Sequence, residues 1–173
     1  MKKAFIGLVS VLLGVMIQAP SVTAGTLVEF EGGIGVIPVS SCTPAAPAAC
    51  TTPVRNDIRG VAPGGQPWVI RRLEAKVKDN GDIRAEGKGL LLAGGNSIGT
   101  TGGLPTVFAT LFCGSDVSHN SGVHPLAADG DFKIKDTLSP PPPTPCTSPV
   151  LLIRVAAGRW IAAGIPKVKE EDD

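Results

Sequence analysis

The stretch from Trp68 to Ala93, WVIRRLEAKVKDNGDIRAEGKGLLLA, constrains the fold more than any other part of the chain, because alternation and turn chemistry agree there. Val69, Leu73, Ala75 and Val77 alternate with Ile70, Arg72, Glu74, Lys76 and Lys78. On the return, Ile83, Ala85, Gly87, Gly89 and Leu91 alternate with Asp82, Arg84, Glu86 and Lys88. A period of two sends successive side chains to opposite faces of a strand, so each arm has one face for a core and one for water. The pattern predicts a long β-hairpin, and parity selects its turn. A two-residue Asn80-Gly81 loop would set Val77 against Arg84 and Ala75 against Glu86, mixing the apolar and charged faces. A three-residue loop Asp79-Asn80-Gly81, a type I turn followed by Gly81 in the left-handed region, pairs Val77 with Ile83 and Ala75 with Ala85. This register opposes Glu74 to Glu86 at a cost of about 0.2–1 kcal/mol. Exposing the apolar faces would cost more, roughly 1.5 kcal/mol or more per large side chain.

Other segments read as short strands. Gly25 to Val39 is apolar on either side of Gly32-Gly33, which predicts a strand with a bulge or kink. Val54 to Val61 follows. Thr106 to Cys113 is apolar at nearly every position, as expected of a strand covered on both faces. Val123 to Ala127 and Asp131 to Leu138 form a hairpin around Ala128-Asp129-Gly130, and Val150 to Val155 and Arg159 to Ile165 form another around Ala156-Ala157-Gly158. Pro140 to Pro143, with Pro145, reads as a rigid extended spacer. About eight or nine short strands, glycine turns and no helical pattern predict an all-β protein. The expected architecture is an antiparallel β-sandwich of immunoglobulin-like or related Greek-key type.

At the amino terminus, Lys2-Lys3, the apolar run Ala4 to Met16 and the small residues Val22-Thr23-Ala24 have the form of a secretory signal peptide. The run is shorter than the roughly 20 residues of a spanning helix. The expected organisation is therefore a signal peptide over 1–24, one domain over 25–166 and a charged tail over 167–173. The product would be exported, periplasmic or secreted, with no membrane insertion after cleavage. Loss of residues 1–24 removes two lysines from 16 basic residues and none of the 15 acidic ones, so the mature charge is −1. That balance argues against nucleic acid and against an anionic membrane as partner.

Four cysteines, Cys42, Cys50, Cys113 and Cys146, permit three pairings. Export favours disulfides over a metal site, and no histidine lies near the Cys42/Cys50 pair to complete a zinc shell. Cys113 shares the inward register of Val107, Ala109 and Leu111, and Cys146 precedes the strand beginning at Val150. The favoured pairing is Cys42 with Cys50 and Cys113 with Cys146.

Chemistry is sparse. His119 and His124 are the only histidines. With Asp116 they form a weak candidate metal site, and with Ser118 or Ser121 a weak candidate nucleophile and base. If Ala128-Asp129-Gly130 is a three-residue turn, Leu126 faces Phe132 and His124 faces Ile134, which makes His124 a core or edge residue held by a hydrogen bond. Gly94 and Gly99 with Thr100 and Thr101 have the spacing of a phosphate loop, but the lysine is missing. Asp79, Asp82, Asp129 and Asp131 are turn residues before they are calcium ligands. Trp68 and Trp160 would need to be exposed to serve as a carbohydrate platform, and strand-end burial is the expectation for both.

The segments GVAPGGQPWVI (Gly60 to Ile70), GKGLLLAGGNSIGT (Gly87 to Thr100), TVFATLFCG (Thr106 to Gly114) and PCTSPVLLIR (Pro145 to Arg154) resemble those of a group of exported bacterial hypothetical proteins with no assigned activity. The resemblance covers most of the mature chain. It implies a shared fold and export, and brings over no functional residue. The expected function is a noncatalytic binding or surface-associated module without a cofactor, its ligand a protein or a small molecule. The alternatives are a hydrolase or metal enzyme using His119 and His124, and a carrier of a small apolar ligand held between sheets, as in the two-disulfide chromoprotein carriers of similar architecture.

Overall fold

A computed structural model describes residues 24–41, 54–114 and 116–167. The expected signal peptide, the Cys42/Cys50 pair and all of the charged tail but Lys167 lie outside those residues. The described chain is all-β. Its strands are β1 (Thr26–Gly35), β2 (Ser40–Ser41), β3 (Val54–Arg55), β4 (Trp68–Val69), β5 (Arg72–Lys78), β6 (Asp82–Lys88), β7 (Leu91–Leu92), β8 (Thr106–Cys113), β9 (Ser118–Asn120), β10 (His124–Pro125), β11 (Phe132–Thr137), β12 (Pro149–Arg154) and β13 (Trp160–Pro166). No helix of the described residues is long and apolar enough to cross a membrane.

Every strand pairing is antiparallel. Nine strands form one sheet in the order β10-β8-β12-β13-β1-β5-β6-β11, with β9 beside β8; β2-β3 and β4-β7 are separate two-stranded ladders. The long sheet curls until its ends approach, and two isolated bridges, Leu126 with Phe132 and Asn120 with Ser139, span the seam. The all-β antiparallel class expected from the sequence therefore holds. The strand order by itself defines one curled sheet, not two facing ones.

The central hairpin has the register that parity selects. Val77 faces Ile83, Ala75 faces Ala85 and Glu74 faces Glu86. Gly81, at φ 86°, donates its N–H to the Lys78 carbonyl at 3.0 Å. Leu73, Ala75, Val77, Ile83 and Ala85 are buried, and their alternates carry the charges.

The hairpin's open end departs from simple alternation. Ladder pairing stops at Ile70-Arg71 and Gly89-Leu90 and resumes with Trp68 opposite Leu92 and Val69 opposite Leu91. Across this break the pleat changes phase, so Trp68, Leu90 and Leu92 are buried and Val69, expected inside, is 51% exposed. Gly89 has φ 62°, and the Arg71 N–H bonds to the Lys88 carbonyl, which marks where the backbone turns.

β1 has the expected irregularity, with a register shift between Phe30 and Gly33 and Gly32 at φ 95°. The strand expected over Val54 to Val61 is only two residues long. Asn56 onward turns instead, with Ile58 and Val61 bridged around Arg59 and Gly60, both at positive φ. β8 has the bounds read from the sequence, and Ala109 to Cys113 are buried on both faces. Cys113 and Cys146 are joined by a disulfide. The bridge ties the end of β8 to the segment entering β12, where Pro149 pairs with Cys113.

Candidate functional site

The sequence-derived candidates are placed by the fold in structural roles. His119 lies opposite Leu111, is buried, and its Nδ1 lies 2.8 Å from the Pro140 carbonyl. Because a carbonyl only accepts, Nδ1 carries the proton, and the ring pins the proline-rich segment to β9. Pro142 of that segment is itself buried. His124 pairs with Val107 on β10 and is only partly buried; its Nε2 meets Asp136 Oδ2 at 3.2 Å. The expected Leu126–Phe132 register is present, but the partner of His124 is Asp136, not Ile134.

Asp116 is exposed and lies 3.9 Å from Arg59. No group of three or more histidine, cysteine, aspartate or glutamate side chains among the described residues could hold a metal ion. Ser118 accepts a hydrogen bond from Asn120, and Ser121 accepts one from the Ala109 N–H and donates to the Gly122 carbonyl. Both hydroxyls are engaged away from the histidines.

The aspartates at the hairpin tips are turn residues. Asp79 accepts from the Gly25 N–H, Asp82 from Asn80 and Thr137, and Asp129 from the Asp131 N–H. Asp131 accepts from the Gly89 N–H and pairs with Lys88 at 2.7 Å. Lys88 first, and then the Gly89 N–H, hold the Asp131 carboxyl below its ordinary range, while Asp131 raises Lys88. The glycine loop after β7 folds on itself, with the Gly99 N–H bonded to the Leu92 carbonyl and the Leu92 N–H to the Thr100 carbonyl. No helix follows it, so it lacks the frame of a phosphate loop. Trp68 and Trp160 are both 5% exposed and offer no stacking platform.

A recess lies elsewhere, on the outer face of β1, β5, β6 and β11. It has a volume of about 550 Å3 and is lined by nine charged side chains: acids from β1, β5 and β6 and cations from β5, β6, β11 and the end of the chain after β13. Register explains how they meet. Glu31, Glu74, Glu86 and Lys133 form one row across the four strands, and Glu29, Lys76, Arg84 and Lys135 the next. Three carboxylates thus stand side by side, and next to them three cations.

The acidic row is neutralised locally. Glu31 is 3.3 Å from Lys167, Glu74 pairs with Arg72, and Glu86 lies 3.7 Å from Lys88 and 3.6 Å from Lys133. In the cationic row Lys76 meets Glu29 at 2.8 Å, whereas neither Arg84 nor Lys135 makes an ion pair among the described residues. A second recess of about 270 Å3 opens at this end of the row, lined by Lys76, Lys78, Arg84 and Lys135 together with Asp82, Asp136 and Thr137. Both acids there are already engaged: Asp82 by Asn80 first and Thr137 second, with smaller effects of Lys78 and Arg84, and Asp136 by the N–H groups of Thr137 and Gly122 and then by His124. Both carboxyls are held below the usual range.

None of these face residues was singled out as a site by the sequence. The Glu74–Glu86 opposition was the one visible sign, and it could not show that β1 and β11 extend the row on either side. Comparison with protein-family models, curated proteins and solved structures finds no match to this chain.

Proposed function

We propose that this chain is an exported, noncatalytic binding module, and that it meets its partner through the outer face of β1, β5, β6 and β11. The observation that carries the reading is the composition of that recess: nine charged side chains and no histidine, cysteine or serine. Such a lining can attract and orient a charged partner, and each of its four glutamates, the groups that acid–base chemistry would need, is held in an ion pair with a cation of the chain. The Cys113–Cys146 bridge supports an oxidising compartment and hence export. For the finer architecture we infer an antiparallel β-sandwich of immunoglobulin-like or related Greek-key type, a reading supported by one curled antiparallel sheet packed about a single apolar core.

The test is native mass spectrometry of the mature protein taken from its own culture medium or periplasm, compared with the mass after denaturation. The reading expects a complex with a macromolecular partner, and loss of that complex in Glu86→Lys. An apolar ligand or a metal ion released on denaturation would overturn it, in favour of the carrier or of a metal enzyme at His119 and His124.

A further inference from the structure

Of the cations beside the second recess, Lys76 pairs with Glu29 at 2.8 Å, whereas Arg84 and Lys135 make no ion pair among the described residues. Lys76 stands directly opposite Arg84, and Arg84 directly opposite Lys135. Side chains so placed have Cβ atoms roughly 4.5–5.5 Å apart, and like charges there repel. The neighbouring acids relieve the repulsion only in part: those of the adjacent row have their own cations, Glu29 is taken up by Lys76, and Lys78 and Arg84 act on Asp82 less than its hydrogen bonds from Asn80 and Thr137 do. Four cations against the carboxylates of Asp82, Asp136 and Glu29, the partner of Lys76, leave a formal excess of one positive charge at this recess in a mature chain whose sequence sums to −1.

We propose that this recess, formed by Lys76, Lys78, Arg84 and Lys135, is a binding site for a phosphate group. The inference rests on the reading of this face as the binding surface and names the chemistry it takes. A dianionic phosphate accepts the paired N–H donors of a guanidinium in a planar fork, while ammonium groups supply point charge around it. Arg84 is flanked by a lysine on either side at directly opposed positions, the arrangement that such a group requires. Thr137 lines the same recess, but its hydroxyl is directed to Asp82 at 3.0 Å and is not counted as a donor to the ligand. The source is either a soluble phosphomonoester or a phosphate displayed on a lipid surface.

The experiment is a titration of the isotopically labelled mature protein with phenyl phosphate, followed by amide chemical shifts and repeated for Arg84→Gln, Lys135→Gln and the control Arg55→Gln. Arg55 carries the same charge but pairs with Asp57, outside the sheet. Saturable shifts at Lys76, Arg84 and Lys135, weakened about tenfold or more by either face variant and unchanged by the control, support the site. Equal weakening by Arg55→Gln, shifts centred elsewhere, or no saturation overturn it. If a face variant does not fold, the shift map of the unaltered protein decides alone. Co-sedimentation with phosphatidylcholine vesicles containing phosphatidic acid, and not with phosphatidylcholine alone, assigns the phosphate to a lipid surface; phenyl phosphate binding without vesicle binding assigns it to a soluble molecule. Absence of phosphate binding leaves the broader binding-face reading to stand or fall on the native mass measurement.

Discussion

Gly87 shows how one missing side chain can set a piece of the core. It stands on β6 between Leu73 and Phe132 at directly opposed positions, with its own face turned inward. A Cβ built there would lie 2.0 Å from Phe132 Cε1 and 2.2 Å from Cζ, so the phenyl ring occupies the volume that any other residue would need. The requirement is steric. Gly65 makes the opposite case: an added Cβ would have nothing within 4 Å, and its backbone is not left-handed. Gly87→Ala is expected to lower stability by about 1–3 kcal/mol through displacement of Phe132. Gly65→Ala should be neutral or stabilising by up to about 1 kcal/mol, through the unfolded chain's lost freedom. Urea unfolding of the two variants beside the parent checks both signs, and equal effects would remove the steric account.

At the scale of elements, the seam is held differently from the rest of the sheet. Between the bridges Leu126–Phe132 and Asn120–Ser139, the Asp136 side chain replaces the ladder: Oδ2 accepts from the Gly122 N–H at 2.7 Å and meets His124 Nε2 at 3.2 Å, while Oδ1 accepts from the Thr137 N–H. Hydrogen bonds from Thr137 first, then Gly122, and the contact with His124 lower the carboxyl pKa in the folded protein. A depressed folded pKa means the unfolded chain takes up the proton first. Its stabilisation is fully present above the unfolded value of about 3.9 and disappears as pH falls through the folded value. Asp136→Asn should therefore unfold more readily than the parent at neutral pH, and the gap between the two urea midpoints should close below about pH 4. A gap constant across that range would mean that the charge on Asp136 does not hold the seam.

The difference between hairpin and seam also explains what could be read in advance. The β5–β6 register followed from parity within 17 consecutive residues, because each alternative exposed Val77 or Ala75. The phase change at Gly89 did not follow, since alternation continues formally through Val69 and Leu91 and only packing of Trp68, Leu90 and Leu92 decides which face is inside. The seam joins side chains from separate strands through a carboxylate, and no local pattern marks Asp136 for that role. The charged outer face was hidden for the same reason. Lys76 and Arg84 are neighbours within a legible hairpin, but Lys135 enters their row only because β11 pairs with β6. The histidines drew attention by rarity, whereas His119 is held by a proline carbonyl and His124 by Asp136, as befits residues that fasten strands.

For the molecule as a whole, the disulfide and the seam address one problem, which is to bring the two ends of a long curled sheet together. Cys113 and Cys146 are 33 positions apart, and the segment between them carries β9, β10 and β11, the strands on both sides of the seam. Outside the seam the sheet is built from ladders, that of β11 with β6 included. At the seam, closure rests on two isolated bridges, the Asp136 contacts and the His119 link to Pro140. The cross-link confines this segment even when the chain is unfolded, and for a loop of this length the chain-entropy model assigns about 4 kcal/mol. Replacing both cysteines by alanine is therefore expected to cost about 3–4 kcal/mol while the continuous ladders keep the fold. The m-value should rise, because an unfolded chain without the cross-link exposes more surface. Urea unfolding of the parent and of the Cys113→Ala, Cys146→Ala variant reads both quantities, and hydrogen exchange reads where the loss falls: amides of β9 and β10, which lack the six-residue ladder of β11 with β6, should open well before those of β5 and β6. A loss below about 1 kcal/mol with unchanged m would show that the seam closes unaided and that the disulfide is dispensable to the fold.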